Sequence, residues 1–365
     1  MKNSKHRPPQ PAKRVESLLS VPHGSINPVE LENWHVDPEM VVDFSVNSNP
    51  FGPSRSVYYK LTHVPLSCYP DPDTLAVRRC LQKLHEVPIE QILVGNGTAE
   101  LLWLIALAFL DVNDPVLIVG PTFGEYANTV RLMQAQITEV QATDVNAFTV
   151  PVPQVTEALS SKAWRVVYLC NPNNPTGAVV DASVIHTWVV QHPHTLFVID
   201  EAYIDFVEGL PSSILLEANN VIVLRSMTKA HGLAGLRLGY AVGHADVIQA
   251  LKQVCPPWSV NAMAQVAGVA TLGDADYLQR SMTQLSLLKE TFVAALTDLG
   301  LSPMPSQTHY FLVNVGNAAN FRHQLLMRGV VVRDCASFGL PAYVRISTRT
   351  ERENQYFIEQ LRKIL

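Results

Sequence analysis

Lys229 stands in the run Ser226-Met227-Thr228-Lys229-Ala230-His231-Gly232-Leu233-Ala234-Gly235-Leu236-Arg237, between a strand-like apolar stretch and a glycine-rich one. A lone lysine is nearly always a solvated surface charge. An amine that attacks a carbonyl carbon must shed its proton near neutral pH, and a partly desolvated pocket lowers its pKa enough to allow this. Small hydroxyl residues before Lys229 and an arginine eight residues after it suit such a pocket, which makes Lys229 a candidate Schiff-base nucleophile. Asp200 closes the apolar run Leu196-Phe197-Val198-Ile199 and is followed by Glu201-Ala202-Tyr203. A carboxylate there is often only a helix N-cap; facing the pyridine nitrogen of a cofactor, it would keep that nitrogen protonated and the ring an electron sink.

Three further segments carry polar or glycine residues at comparable places. Gly95-Asn96-Gly97-Thr98-Ala99-Glu100 opens the apolar stretch Leu101–Leu110. A glycine turn before a helix is commonly just a turn, but it also lets backbone N–H groups approach an anion at the positive end of the helix dipole. Gly120-Pro121-Thr122-Phe123 and Asn171-Pro172-Asn173-Asn174-Pro175-Thr176-Gly177 are rich in turn formers, and an asparagine of the second could bond a ligand oxygen. His192 and His194 have no third ligand at zinc-like spacing and read as a surface loop.

The elements that must position these residues are visible as an alternation of short apolar runs with helix-like stretches. Strands are expected at Gln91–Val94, Val116–Val119, Arg165–Cys170, Leu196–Asp200, Val221–Arg225 and Leu238–Val242. Several are apolar throughout, as in strands covered by helices on both faces, so an α/β domain with a mainly parallel sheet is predicted. In such a sheet ligands bind beyond the carboxyl ends of the strands, where each segment above falls. After Pro256-Pro257 a helical stretch is expected from about Val260 to Leu299, then strands at Tyr310–Val315, Gly329–Arg333 and Tyr343–Ser347. A last helix opens with a capping box, Thr350 and Glu353, and carries Phe357, Leu361 and Ile364 on one face. The expected organisation is a flexible arm over residues 1–20, a large domain over 45–255, and a smaller α+β domain made of 21–44 with 256–365.

With 365 residues, 47% hydrophobic and 16% charged, the chain lies far from disordered compositions. A formal charge of −5 with scattered lysines and arginines argues against a nucleic-acid partner. Five cysteines without a C-x-x-C pair suggest neither disulfides nor zinc and fit a reducing, cytoplasmic setting. The longest apolar run, Leu101 to Leu110, is too short for a membrane span. The basic, proline-rich start lacks the apolar core of a secretion signal.

Taken in order, G-N-G-T-A-E, P-T-F-G-E-Y, N-P-N-N-P-T-G, D-E-A-Y and S-M-T-K-x-x-G-L-A-G-L-R-L-G-Y resemble the class I and II aminotransferases, the fold-type I pyridoxal-phosphate enzymes, from about His23 to the C-terminus. The resemblance implies pyridoxal 5'-phosphate held as an imine on Lys229, with Asp200 on the pyridine nitrogen. It places Asn174 and Tyr203 at the ring hydroxyl and Phe123 on the ring face. By the same resemblance Thr98, Ala99, Ser226 and Arg237 would hold the phosphate, and Glu100 is a cofactor-binding candidate in the same turn. Tyr69, in Ser67-Cys68-Tyr69-Pro70-Asp71, resembles a tyrosine lent to the neighbouring subunit's phosphate site, which implies a homodimer with shared sites.

Within the group, Phe44-Ser45-Val46-Asn47-Ser48-Asn49-Pro50 is similar both to histidinol-phosphate aminotransferase and to threonine-phosphate decarboxylase. His23-Gly24, Pro257-Trp258-Ser259-Val260-Asn261-Ala262 and Arg333-Asp334-Cys335-Ala336 lean toward the decarboxylase. His23, Gly24, Ser25 and Asn47 would surround the far end of an amino-acid substrate, and Arg333 and Arg345 its anionic groups. Ser25 stands where the decarboxylase motif has a second glycine, and Asp334 adds negative charge beside Arg333, so an unphosphorylated substrate is also considered. The expected activity is lyase-type chemistry at Cα through an external imine, either decarboxylation of the threonine-phosphate type or elimination or cyclisation of an unphosphorylated amino acid, with transamination of the histidinol-phosphate type as the alternative. An inactive, dimeric binding protein on the same fold is a third reading, against which the intact Lys229, Asp200 and Arg237 argue.

Overall fold

The computed structural model describes residues 10–16, 18 and 21–365. Of the expected N-terminal arm, residues 1–9, 17, 19 and 20 lie outside the described residues, and Lys13–Glu16 form one helical turn. The strands are β1 (Val42–Asp43), β2 (Ile92–Gly95), β3 (Pro115–Gly120), β4 (Gln136–Gln141), β5 (Val166–Cys170), β6 (Leu196–Asp200), β7 (Val221–Ser226), β8 (Gly239–Gly243), β9 (Tyr310–Asn314), β10 (Val330–Val331), β11 (Arg333–Asp334) and β12 (Tyr343–Ser347). Seven of them form one sheet in the order β2-β8-β7-β6-β5-β3-β4. Neighbours run parallel except at β8, which is antiparallel to both β2 and β7.

The apolar runs become strands because side chains alternate across the sheet and both faces are covered. Along β5, Val166, Tyr168 and Cys170 enter one core layer while Val167 and Leu169 enter the other. Helix Gly97–Phe109 packs in the first layer through Leu101, Leu104 and Ile105, and Trp188 of helix Ala182–Gln191 in the second. Each fully buried aliphatic side chain adds about 1.5–3 kcal/mol, which holds the carboxyl ends of β3, β5, β6 and β7 at one edge. The strand β4 was not expected from the sequence. It is an edge strand of alternating, half-exposed residues in Gln136–Gln141, without the continuous apolar run that marks its neighbours.

The C-terminal part is built on β11-β12-β9, antiparallel throughout, and on β1 paired with β10. Two expectations are corrected here. The single helix over Val260–Leu299 is two, Ala262–Leu272 and Ala275–Asp298, broken at Gly273-Asp274, where the Asp274 side chain accepts from the Tyr277 N–H and caps the second. The single strand over Gly329–Arg333 is divided, because Val330 and Val331 pair with β1 whereas Arg333 and Asp334 pair with β12. The capping box at Thr350 and Glu353 is present, and Phe357 and Leu361 are buried below it. No helix of the described residues is long and apolar enough to cross a membrane.

Candidate active site

A cavity of about 590 Å³ opens at the carboxyl edge of the large sheet. Lys229, Asp200, Tyr203, Asn174, Phe123, Thr98, Ala99 and Arg237 line it from the large sheet, and His23, Gly24, Ser25, Asn47, Arg333 and Arg345 line it from the other side. Three expected site residues do not. The Glu100 carboxylate turns back to accept from the Asn96 N–H at 2.6 Å, which caps its own turn. Ser226 is buried behind the wall, its hydroxyl 2.7 Å from that of Thr228. Tyr69 is 81% exposed and lies with its ring 4.8 Å from that of Trp258.

Lys229 follows β7 and is anchored from the far side of the cavity. The Asn49 N–H donates to the Lys229 carbonyl at 3.0 Å, and Asn49 Nδ2 to the Ala230 carbonyl at 2.9 Å. Burial, with the positive charges of Arg345 and Arg237, pushes the Lys229 amine down to about 8, against the attraction of Asp200. Such an amine is partly neutral just above neutral pH, as a carbonyl nucleophile requires. Asp200 ends β6 with only 5% of its surface exposed. Burial pushes its pKa up, while hydrogen bonds from Tyr126 and the Ala202 N–H, together with the Lys229 charge, favour the carboxylate. The Tyr126 hydroxyl donates to Asp200 Oδ2 at 2.7 Å and the Ala202 N–H to Oδ1 at 2.9 Å. Tyr126 was not singled out in the sequence, although it ends the segment Pro121-Thr122-Phe123-Gly124-Glu125-Tyr126.

At the opposite end, the first turn of helix Gly97–Phe109 points its free N–H groups at the cavity beside Arg237. Two backbone conformations are unusual there. Gly97 has φ +79, and Arg237 itself has φ +57, a left-handed conformation that costs a non-glycine residue energy. Gly239 permits the close fit, since a Cβ there would stand 2.8 Å from the Thr98 nitrogen.

Arg333 and Arg345 lie directly opposite each other on β11 and β12. Like charges at facing positions destabilise a sheet, and both are largely buried, so an anion held between them would relieve a standing cost. Burial and the neighbouring Arg345 lower the pKa of Arg333. Arg345 donates to Asn174 Oδ1 and, at 2.5 Å, to the Ser45 carbonyl, and its Nε is buried without a partner. Arg333 donates to the Pro22 carbonyl at 2.6 Å and to the Ser337 hydroxyl at 2.7 Å. Gly24 packs on the same carbonyl that Arg345 uses; a Cβ there would be 2.2 Å from the Ser45 oxygen. Asn47 accepts from the Ser347 hydroxyl at 2.7 Å, while its Nδ2 is buried and unpaired.

An amine of lowered pKa, a buried carboxylate with fixed donors, an aromatic face at Phe123 and a helix N-terminus with an arginine fit an aromatic aldehyde carrying a ring nitrogen and a phosphate, that is, pyridoxal phosphate. Comparison with known proteins agrees. The family described as aminotransferase class I and II matches residues 39–361. Histidinol-phosphate aminotransferase of Moorella thermoacetica is 33% identical over 361 residues, covering 96% of this chain and 92% of that protein. The enzyme of that name from Symbiobacterium thermophilum is 34% identical, covering 89% and 91%. Among solved structures, L-threonine-O-3-phosphate decarboxylase from Porphyromonas gingivalis has TM-score 0.77 at 29% identity, covering 88% of this chain and 98% of that one. Histidinol-phosphate aminotransferase from Sinorhizobium meliloti in complex with pyridoxal-5'-phosphate has TM-score 0.86 at 24% identity, covering 99% and 100%, and shows the fold.

The fold and the site define a pyridoxal-phosphate enzyme of fold type I. The chain belongs to the aminotransferase class I and II family.

Proposed function

We propose that the chain is an aminotransferase of the histidinol-phosphate type, which moves an amino group between a small amino compound with a distal anionic group and a keto acid. The agreement of relatives 33% and 34% identical over most of their length carries the choice of transamination and sets the lyase chemistry expected from the sequence in second place.

Pyridoxal phosphate, when bound, supplies an electron sink for the bond broken at the substrate's Cα. Lys229 is its point of covalent attachment, and the N-terminal turn at Thr98 and Ala99, with Arg237, holds the phosphate. Asp200, kept a carboxylate by Tyr126 and the Ala202 N–H, holds the proton on the ring nitrogen. Asn174 and Tyr203 bond the ring hydroxyl, and Phe123 covers one face of the ring. The Lys229 amine would accept the proton leaving the substrate's Cα and deliver it to the cofactor carbon that takes up the amino group, which its lowered pKa suits. Arg345 and Arg333 grip the substrate's anionic groups and thereby set which Cα bond stands perpendicular to the ring. His23, Gly24, Ser25 and Asn47 close the far end.

The working unit is proposed as a homodimer. Tyr58, Tyr59, Leu66, Tyr69 and Trp258 are exposed large side chains of the kind a second copy covers, with Tyr69 reaching the partner's phosphate site. The domain division 45–255 against 21–44 with 256–365 belongs to the same proposal and is supported by the pairing of β1 with β10. Five free cysteines suit a reducing cytoplasm.

A single-turnover spectrum tests the reaction type. Mixed with histidinol phosphate or another accepted amino donor, the cofactor band should shift and stay shifted until a keto acid is added. With O-phosphothreonine, which has a carboxylate to lose, a band that returns unaided with carbon dioxide released would establish the second reading, a lyase of the threonine-phosphate-decarboxylase type. That reading is favoured by the 29% identity to the Porphyromonas gingivalis enzyme.

A further inference from the structure

Three charged side chains behind the site belong to none of the tasks given above. Strands β6 and β7 pair from Phe197 with Val221 to Asp200 with Leu224, and one further backbone bond runs from the Glu201 N–H to the Leu224 carbonyl at 2.8 Å. Tyr203 and Lys229 lie beyond that ladder, with Lys229 Nζ 5.8 Å from the centre of the Tyr203 ring. Arg225, four residues before Lys229, crosses from β7 to the other segment. Its Nη2 donates to Asp205 Oδ1 at 2.7 Å and its Nη1 to Glu201 Oε2 at 3.4 Å. Glu201 follows Asp200 directly, and Asp205 stands two residues after Tyr203. Glu201 is fixed in turn by the Ser212 hydroxyl and the Ser213 N–H, each at 2.6 Å.

None of the three lines the cavity, and the side chains of Arg225 and Glu201 are 11% and 1% exposed. Burying charges is costly even when they are paired, so stability alone is a weak reason for such a cluster. No histidine stands in for the arginine, since burial and then the Arg225 charge push His85 down to about 4, and burial lowers His231. A planar guanidinium holds two carboxylates at a fixed angle, which a single ammonium does not.

We propose that Arg225 is a positioning residue. With Glu201 and Asp205 it clasps segment 200–203 to segment 226–229, and so fixes the spacing between the groups that receive the cofactor's ring nitrogen and ring hydroxyl and the amine that receives its aldehyde carbon. The amine's own pKa answers chiefly to burial, Arg345, Arg237 and Asp200, so the clasp acts through geometry. The proposal rests on the cofactor assignment and is indifferent to which bond at Cα is broken.

The test uses Arg225→Lys, which keeps the charge but cannot fork, together with Asp205→Ala and Asp205→Asn. Cofactor-free protein is titrated with pyridoxal phosphate to give dissociation constants and the circular dichroism of the cofactor band, with thermal melts to establish folding. Steady-state rates at saturating cofactor give kcat and KM for an accepted amino donor. Arg225→Lys should bind the cofactor about tenfold or more weakly, lose most of the dichroic band, and lower kcat about 10- to 100-fold with KM within about twofold of wild type. Asp205→Ala should change in the same direction, and Asp205→Asn, which keeps an acceptor, should recover part of the loss. A lower melting temperature with unchanged cofactor affinity, band and kcat would overturn the proposal and leave an ion pair that serves stability only; a change confined to KM would overturn it as well. If Arg225→Lys does not fold, Asp205→Ala, at a side chain 20% exposed, decides by the same readouts. Failure of the transaminase reading leaves these measurements standing, whereas a wild-type protein that takes up no pyridoxal phosphate would defeat the cofactor assignment and the clasp with it.

Discussion

Replacing Tyr126 by Phe removes one hydroxyl from the interior and leaves the packing in place. The ring of Tyr126 stacks on that of Tyr168, with centres 5.2 Å apart and planes 9° apart, and phenylalanine keeps this contact. What is lost is the 2.7 Å hydrogen bond to Asp200 Oδ2, between two buried groups. A bond to an ionised acceptor is worth ~1.5–3 kcal/mol, and its removal raises the Asp200 carboxyl further. The sign follows from the donor. Tyr126 stabilises the charged form, so without it Asp200 takes up its proton at higher pH. If the ionised carboxylate is what holds the ring nitrogen protonated, the acid limb of the kcat/KM profile of Tyr126→Phe moves to higher pH. At the wild-type optimum kcat/KM falls by about 10- to 150-fold if the whole bond is felt in the transition state. Steady-state rates of the holoenzyme across pH, with thermal melts to confirm folding, measure both. An acid limb within a few tenths of a unit of wild type, with a rate within about twofold, would show that Asp200 does not depend on Tyr126 and would refute the argument.

Lys229→Met should stabilise the cofactor-free protein. Because burial depresses the amine, the unfolded chain binds the proton more strongly than the folded one between about 8 and the model-compound value of 10.5, and wild-type stability rises with pH across that window. Chemical denaturation should find the variant ahead below pH 8, by up to ~3 kcal/mol, with the gap closing toward pH 10.5; a gap independent of pH would mean that the amine is solvated. Lys229→Ala should abolish covalent attachment of the cofactor and turnover, and Tyr69→Phe should impair the phosphate site across the subunit boundary. Mixed subunits of the two variants should regain up to one working site per heterodimer, and no recovery despite demonstrated exchange would exclude sharing through Tyr69. Gly24→Ala should raise KM for the amino donor about tenfold or more, because the added methyl would sit 2.2 Å from the Ser45 carbonyl that also orients Arg345; unaltered KM would show that the segment around His23 gives way.

The chemistry near Lys229 and Asp200 is legible in sequence because its determinants are local. An apolar run with both faces buried can be read residue by residue, as Leu196–Asp200 and Tyr343–Ser347 show, each a strand with the bounds expected. The residue that ends such a run is then known to sit at the ligand-binding edge. Capping is equally local, and Thr350 with Glu353 forms the box its spacing indicates. Relations between distant segments are another matter. Tyr126 reaches Asp200 across 74 positions, and Arg345 reaches the Ser45 carbonyl across 300. Nothing in either neighbourhood encodes the other, because the contact is made by packing the whole core. The opposition of Arg333 and Arg345 depends on the register of β11 against β12, and a shift of one residue would send one guanidinium to the other face. The edge strand β4 escaped notice for a related reason, since its half-exposed residues become a strand only by pairing with β3. The sequence by itself singled out Lys229 and Asp200, which the fold brings to one cavity, and the α/β frame that carries them. Only the tertiary structure decided which hydroxyl holds the carboxylate, which carbonyl aims the arginine, and that the two arginines face the cavity of Lys229, because those depend on contacts whose partners are far apart along the chain.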